Sequence, residues 1–247
     1  MAPTTRSVTC VVPVIILAAL ALWPEAVIRA ASPGEGRDVG PLMASLDTLA
    51  RRWDVSWTAH RWLEGELVDR GERGWMEVMS RCDRDRITHT VVSAGGSKRI
   101  RDRALAAVLQ KEVEASREDE AKRSAFSLDN YRYRLVDAPW DRVRIELVPL
   151  RADVRLVKGT AVVDPSSGDL LKVEGQLSQN PSFWVRDVHV SRTYARLGGA
   201  TLPIDIVSTA HVRLFGAARL RIRSEYLSVD GRPVDGSAAM AAVAERR

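Results

Sequence analysis

Cysteine is almost missing from this chain of 247 residues, which has two, Cys10 and Cys82. Lysine is also scarce, with 5 against 32 arginines, a bias typical of genome composition. Neither charge sign dominates, because 37 basic groups face 32 acidic ones and leave a formal charge of +5. With that balance, and no basic cluster interleaved with aromatics, nucleic-acid binding is not expected. No G-x-S-x-G elbow, P-loop or G-x-G-x-x-G is present, so the common hydrolase and nucleotide signatures are lacking. The four histidines, His60, His89, His189 and His211, lie outside metal-ligand spacing of one another and of Cys82. Each falls in a strand pattern and is expected on a sheet face. Asp83 and Asp85, interrupted by Arg84, are expected to make a turn. No cofactor is implied.

One long hydrophobic run exists, Cys10 to Trp23. At about 14 residues it matches a signal-peptide core and is shorter than the ~20 needed to span a bilayer. Arg6 precedes it, Pro24 and Glu25 end it, and the best cleavage point follows Ala30. Residues 1–30 are therefore expected to be a signal peptide and the protein periplasmic or secreted. Without them Cys82 is the one cysteine, so no internal disulfide can form. It is expected to pack as a small hydrophobe.

What remains is ordinary globular material, 45% hydrophobic and 28% charged. Residues 31–40 form a Gly-rich leader, and residues 41–230 are expected to be a single domain. Leu42, Leu46, Leu49 and Trp53 recur at helical spacing, which predicts a first helix over 41–54 that opens on Pro41. From Ser56 the period becomes two. Trp57, Ala59 and Arg61 share one parity and Thr58, His60 and Trp62 the other. With 74–82 and 86–93 this predicts three hairpin-joined strands. A second helix follows from about Ser97 to residue 117, with Ile100, Ala104 and Val108 on its apolar stripe and a solvated, charge-dense end at 117–123. From Asn130 the pattern is strands alone, near 131–135, 143–147, 159–163, 169–175, 183–195, 202–213 and 217–228. Asp164-Pro165-Ser166-Ser167-Gly168 is a strong turn signal. Residues 231–247 are expected to fray.

Val, Ile, Leu and Tyr occupy one parity of these strands. Arg132, Arg134, Arg142, Arg144, Arg219, Arg221 and Arg223 crowd the other. A long sheet with one dry face must curl over something apolar, and two amphipathic helices are available. The fold class expected is α+β: a curved antiparallel sheet of about 9–11 strands, an incomplete barrel, wrapped over two helices. The Arg-rich face either rests against anionic lipid or keeps the sheet soluble. Trp62, Trp75, Tyr133 and Trp184 fall in strands, where aromatics commonly fill cores. They are also the candidates to line a cavity between sheet and helices that an acyl chain could occupy.

The helix Ala104–Arg117 is followed by Asn130-Tyr131-Arg132-Tyr133 and by Gly159-Thr160-Ala161-Val162-Val163-Asp164. Next come Lys172-Val173-Glu174-Gly175, Pro181-Ser182-Phe183-Trp184-Val185, Leu202-Pro203 and the strand around Tyr226. In that order the segment Gly96 to Val234 resembles the periplasmic lipoprotein-carrier (LolA/LolB-like) superfamily. The resemblance implies a curved sheet over helices, a hydrophobic cavity for lipoprotein acyl chains and transient partners at the two membranes. A related group uses the same fold to sense envelope stress. Carriers often hold a disulfide, which one mature cysteine cannot make. No arginine here is matched to their cavity arginine, so no functional residue is carried over. Three functions stay open. The first is a non-enzymatic periplasmic carrier or sensor holding a lipid, acyl chain or lipoprotein on the concave face. The second is an envelope interaction or regulatory module with a filled core. The third is a hydrolase with scattered catalytic residues, which a clustered acid–base pair would support.

Overall fold

Alternation decides the first hairpin. Along β1 (Trp57–Leu67) the odd positions Ala59, Arg61, Leu63, Gly65 and Leu67 are buried, while the even ones are half-buried or exposed. The computed structural model describes residues 55–83, 86–115, 123–124, 126–139 and 142–245. The expected signal peptide, leader and first helix (41–54), and most of the charged stretch after residue 116, lie outside the described residues.

Ten long strands and one short one make a single antiparallel sheet. After β1 come β2 (Glu72–Asp83), β3 (Arg86–Gly96), β4 (Tyr131–Asp137), β5 (Val143–Pro149) and β6 (Val157–Val163). β7 (Leu170–Leu177), β8 (Val185–Leu197), β9 (Ala200–Val212), β10 (Gly216–Val229) and β11 (Arg232–Pro233) follow. The order across the sheet is β3-β2-β1-β10-β9-β8-β7-β6-β5-β4, with β11 beside β10. Among the described residues the sheet is not closed: β3 and β4 are its free edges. β1–β3 and β4–β10 are each a meander; the connection from β3 to β4 runs between opposite edges, and β10 pairs with β1. Asp164 makes its expected turn by accepting the amide hydrogens of Ser166 and Ser167 at Oδ1.

Between β3 and β4 the chain forms a helix on the sheet's inner face. It begins with a wider π turn at Ile100–Leu105 and continues as an α-helix over Ala106–Ala115. Leu63, Met76 and Val78 from β1 and β2 share one apolar cluster with Ile100, Leu105 and Val108 of the helix. The same cluster includes Val188 and Val190 of β8, Ala210 of β9 and Ile222 of β10. β2 and β8 are four strand spacings apart, about 19 Å if flat, whereas a helix is only ~10 Å across. A single apolar cluster that takes in one helix and both of these positions is what a bent sheet provides. A second cluster, built on Phe126, Tyr131, Ile145, Leu156 and Val173, fills the inner side of β4–β7. A third joins Ala59, Ile204 and Tyr226 near the other end of β1 and β10.

Of the expected pair of helices under the sheet, the second is the helix of residues 100–115, and the first, 41–54, lies outside the described residues. One expectation needs correction. The tail, expected to fray, forms β11 and a helix at Gly236–Glu245. Asp235 caps that helix by accepting the Ala238 amide and the Ser237 hydroxyl, and its alanines are strong helix formers. Val234, Ala239 and Met240 pack on the third cluster, so apolar burial anchors the tail.

Candidate functional site

The helix lies close to β1 and β2 because two glycines face it. Gly65 and Gly74 are cross-strand partners. A Cβ built on Gly65 would stand 2.6 Å from Ile100 Cγ2 and 3.3 Å from Leu105 Cδ2, and one on Gly74 would stand 3.0 Å from Ile100 Cβ. The glycine pair is therefore the seat of Ile100, and any larger residue there would lift the helix.

About three turns further on, polar groups join helix and sheet. Arg61 shares the inward parity of Leu63, and its guanidinium grips Glu112 with Nη1–Oε2 at 2.6 Å and Nη2–Oε1 at 2.8 Å. Both residues are buried. This is the bidentate geometry in which a planar fork matches a carboxylate. Arg61 Nη1 also lies 3.5 Å from Ser80 Oγ, and Ser80 Oγ lies 2.9 Å from His89 Nδ1. His89 Nε2 stands 3.3 Å from Glu112 Oε2, out of line for a hydrogen bond. Strands β1 and β3 thus each send one polar side chain to a single carboxylate on the helix, and Ser80 of β2 bridges the two.

The electrostatics follow from burial. Desolvation pulls the Arg61 pKa down, but the charge of Glu112 and its hydrogen bonds outweigh that, and the net shift is upward. For His89 desolvation is the largest effect; Glu112 raises the pKa, Arg61 lowers it, and the net shift is downward. His89 is therefore neutral at pH 7. Because Nε2 faces the carboxylate, the proton belongs there, and Ser80 donates to Nδ1 while accepting from Arg61. Serine, histidine and glutamate in contact are the parts of a nucleophilic relay. Ser80 is, however, completely buried beneath the helix, so no substrate reaches its hydroxyl in this conformation.

The β4–β7 half has a different inner surface. Tyr131 is buried, and its hydroxyl accepts the Val157 amide hydrogen at 2.9 Å. Tyr133, two residues on, stacks at 5.9 Å from it in a tilted arrangement. The Tyr133 hydroxyl is sealed from solvent and, among the described residues, has no hydrogen-bond partner. Burial pushes both phenols above their usual range, helped at Tyr133 by the neighbouring Tyr131. Leu135 shares the parity of Tyr131 and Tyr133 and pairs with buried Ile145. It remains 40% exposed. On the other free edge Val91 pairs with buried Val78 and is 50% exposed. Directly opposed residues share a face, so at both edges the inner face continues as uncovered aliphatic surface.

The four aromatic candidates do not converge. Tyr133 faces inward as expected. Trp62 lies on the even parity of β1, stacked 4.4 Å from His60, whose Nε2 meets Glu77 at 2.8 Å. Trp75 lies on the outward parity of β2 and covers Gly95. Both tryptophans therefore sit on the face away from the helix, because Leu63 and Met76 hold the inward positions beside them. Trp184 lies in the connection before β8, edge-on to Phe183 at 5.5 Å. The arginines of the outer face are largely paired across strands: Arg221 with Asp205, Arg223 with Glu64, Arg134 with Glu146 and Arg144 with Asp137. Cys82 is half-buried near the end of β2. Reading by residue type missed Arg61, Ser80, His89 and Glu112. Their signal was parity, since Arg61 sits among apolar residues on β1 and Glu112 lies one turn beyond Val108 on the buried stripe.

No protein-family model and no curated protein matches this sequence. Among solved structures the chain is similar to a domain from Vibrio parahaemolyticus assigned as an outer membrane lipoprotein-sorting protein. That match has 11% identity and a TM-score of 0.43, and covers 76% of this chain and 90% of that one. It is also similar to a LolA superfamily protein from Nitrosomonas europaea, with 11% identity and a TM-score of 0.38, covering 78% of this chain and 93% of that one. Both are likenesses of fold at low sequence identity.

Proposed function

We propose that the protein is a non-enzymatic carrier or sensor that holds an acyl chain of a lipid or lipoprotein on the inner face of its open sheet. The observation that carries this reading is the Tyr133 hydroxyl, sealed from water, without a partner, and set in an apolar surface that continues to half-exposed Leu135. A buried polar atom without a partner is rare and calls for an explanation. The polar end of a guest chain would supply the missing acceptor. The resemblance of the segment Gly96 to Val234 to the lipoprotein carriers agrees with such a guest. The apolar run at Cys10–Trp23 agrees with export to the compartment where it would be met. Among the described residues no helix is long and apolar enough to cross a membrane.

The helix, fastened to β1–β3 by the Arg61–Glu112 pair, belongs to the other half of the inner face. Titration with a fluorescent polyunsaturated fatty acid tests the proposal. Saturable binding is expected, weakened about two- to tenfold in Tyr133→Phe by loss of one hydrogen bond. No binding to the wild-type protein would overturn the reading in favour of an envelope interaction module with a filled core.

A further inference from the structure

Three turns meet at one end of the sheet, and their tips are unusual. The β1–β2 turn presents Val68, 49% exposed, and the β7–β8 connection presents Phe183, 66% exposed. The β9–β10 turn presents Leu214, 70% exposed. The turns are tied together. Arg70 Nη2 donates to the Leu214 carbonyl at 3.0 Å, Asp69 accepts the Ala217 amide at 2.9 Å, and the Arg213 amide donates to the Trp184 carbonyl at 2.8 Å. Leu214 has φ of +70°, a left-handed conformation that glycine or asparagine adopts at less cost. A large apolar residue held there and turned to solvent contributes nothing to the core and calls for another reason.

The cations beside these tips differ from those of the outer face. Arg213 lies over the Phe183 ring at 3.6 Å and Arg70 over the Phe215 ring at 4.5 Å. Among the described residues neither is ion-paired to a carboxylate. The acids nearby are engaged elsewhere: Glu66 with Arg73, Glu72 with Arg99 and Ser97, and Asp69 with the Ala217 amide. The end of the sheet thus projects three apolar side chains with two guanidinium groups immediately behind them that, among the described residues, no carboxylate neutralises.

We propose that this end is a membrane-docking surface. Phe183 and Leu214 enter the boundary between headgroups and acyl chains of an anionic bilayer, and Arg70 and Arg213 meet the lipid phosphates. Apolar tips backed by cations are what an interfacial contact requires, because burial and electrostatic attraction act together. A second copy of this chain would bring the same guanidinium groups face to face, which disfavours that occupant. The proposal is independent of the acyl-chain reading, since the tips are distinct from the inner face around Tyr133.

The test uses the full chain with Cys10→Ser and Cys82→Ser. An environment-sensitive fluorophore is placed at Leu214→Cys or, at the opposite end of β10, at Arg232→Cys. Each labelled protein is mixed with phosphatidylcholine vesicles, with or without phosphatidylglycerol. The label at 214 is expected to shift to shorter wavelength on the anionic vesicles, and the label at 232 to stay unchanged. Arg70→Gln with Arg213→Gln should weaken the response about thirty-fold, following the usual contribution of two cations at an anionic surface. Three results overturn the proposal. In one, the label at 214 keeps its aqueous emission while the protein floats with the vesicles through some other segment. In another, the response is equal on neutral vesicles. In the third, the shift follows protein concentration without lipid, which assigns the tips to a second copy.

Discussion

Beneath the helix the inner face is closed by aliphatic side chains, the glycine seat at Gly65 and Gly74, and a buried ion pair. Over β4–β7 the same face is closed by Phe126, Tyr131 and Tyr133, and its unusual polar feature is a hydroxyl with nothing to bond. Val190 belongs to the first half and Tyr194 to the second, with inward, buried Arg192 between them on β8. The difference teaches what each half is built to hold. A bidentate ion pair is directional, so it fixes the helix at one height on β1–β3, whereas hydrophobic contact alone would tolerate sliding. Such a pair adds little net stability over apolar residues of the same size, because desolvation offsets much of the attraction. Its value is positional. Among the described residues the aromatic half specifies no such partner for the Tyr133 hydroxyl.

Mutating the fastening makes the sharpest contrast. Arg61→Ala or Glu112→Ala leaves a buried charge unpaired and should cost about 3–5 kcal/mol, read from urea unfolding. The double variant Arg61→Met with Glu112→Leu should recover most of that loss or exceed wild-type stability. If the single variants were harmless, the pair would not be sealed as described. Next in size are the two tyrosines. Tyr131→Phe leaves the buried Val157 amide without its acceptor and should cost roughly 1–3 kcal/mol. Tyr133→Phe removes a hydroxyl with no partner and should leave the unliganded protein's stability nearly unchanged. Equal losses at both positions would erase the contrast between satisfied and orphan hydroxyls.

The smallest effect concerns acid. His89 has a folded pKa below its ordinary value, so on lowering the pH the unfolded chain takes up this proton first, near pH 6.5. The contribution of neutral His89 is complete above about pH 6.5 and declines below it, by at most ~1.4 kcal/mol per pH unit. Denaturant midpoints measured from pH 7.5 to 5 should fall more steeply for wild type than for His89→Gln. Parallel curves would show that His89 does not titrate differently on folding.

Much of this architecture was legible in the sequence. Period-two alternation located the hairpins of β1–β3 and the long meander, and Asp164 to Gly168 announced its turn. The apolar stripe from Ile100 located the inner helix, because local spacing decides those elements. What alternation could not assign was which parity faces the helix. Arg61 on one side and Trp62 on the other suggested an aromatic lining. The outcome is set by long-range contacts, the glycine seat and Glu112, which turn Arg61 inward and Trp62 and Trp75 outward. The tail helix escaped notice because its apolar anchor, Val234, Ala239 and Met240, has meaning only against Tyr226 and its neighbours on distant strands.

The most direct test of the central claim is photo-cross-linking of a fatty acid that carries a diazirine near its carboxyl group, with the adducts mapped by tandem mass spectrometry. The account predicts adducts on Tyr133 and Leu135, suppressed by excess unlabelled fatty acid and reduced in Tyr133→Phe. Adducts confined to Trp62 and Trp75 on the outer face, or none that competitor displaces, would contradict it.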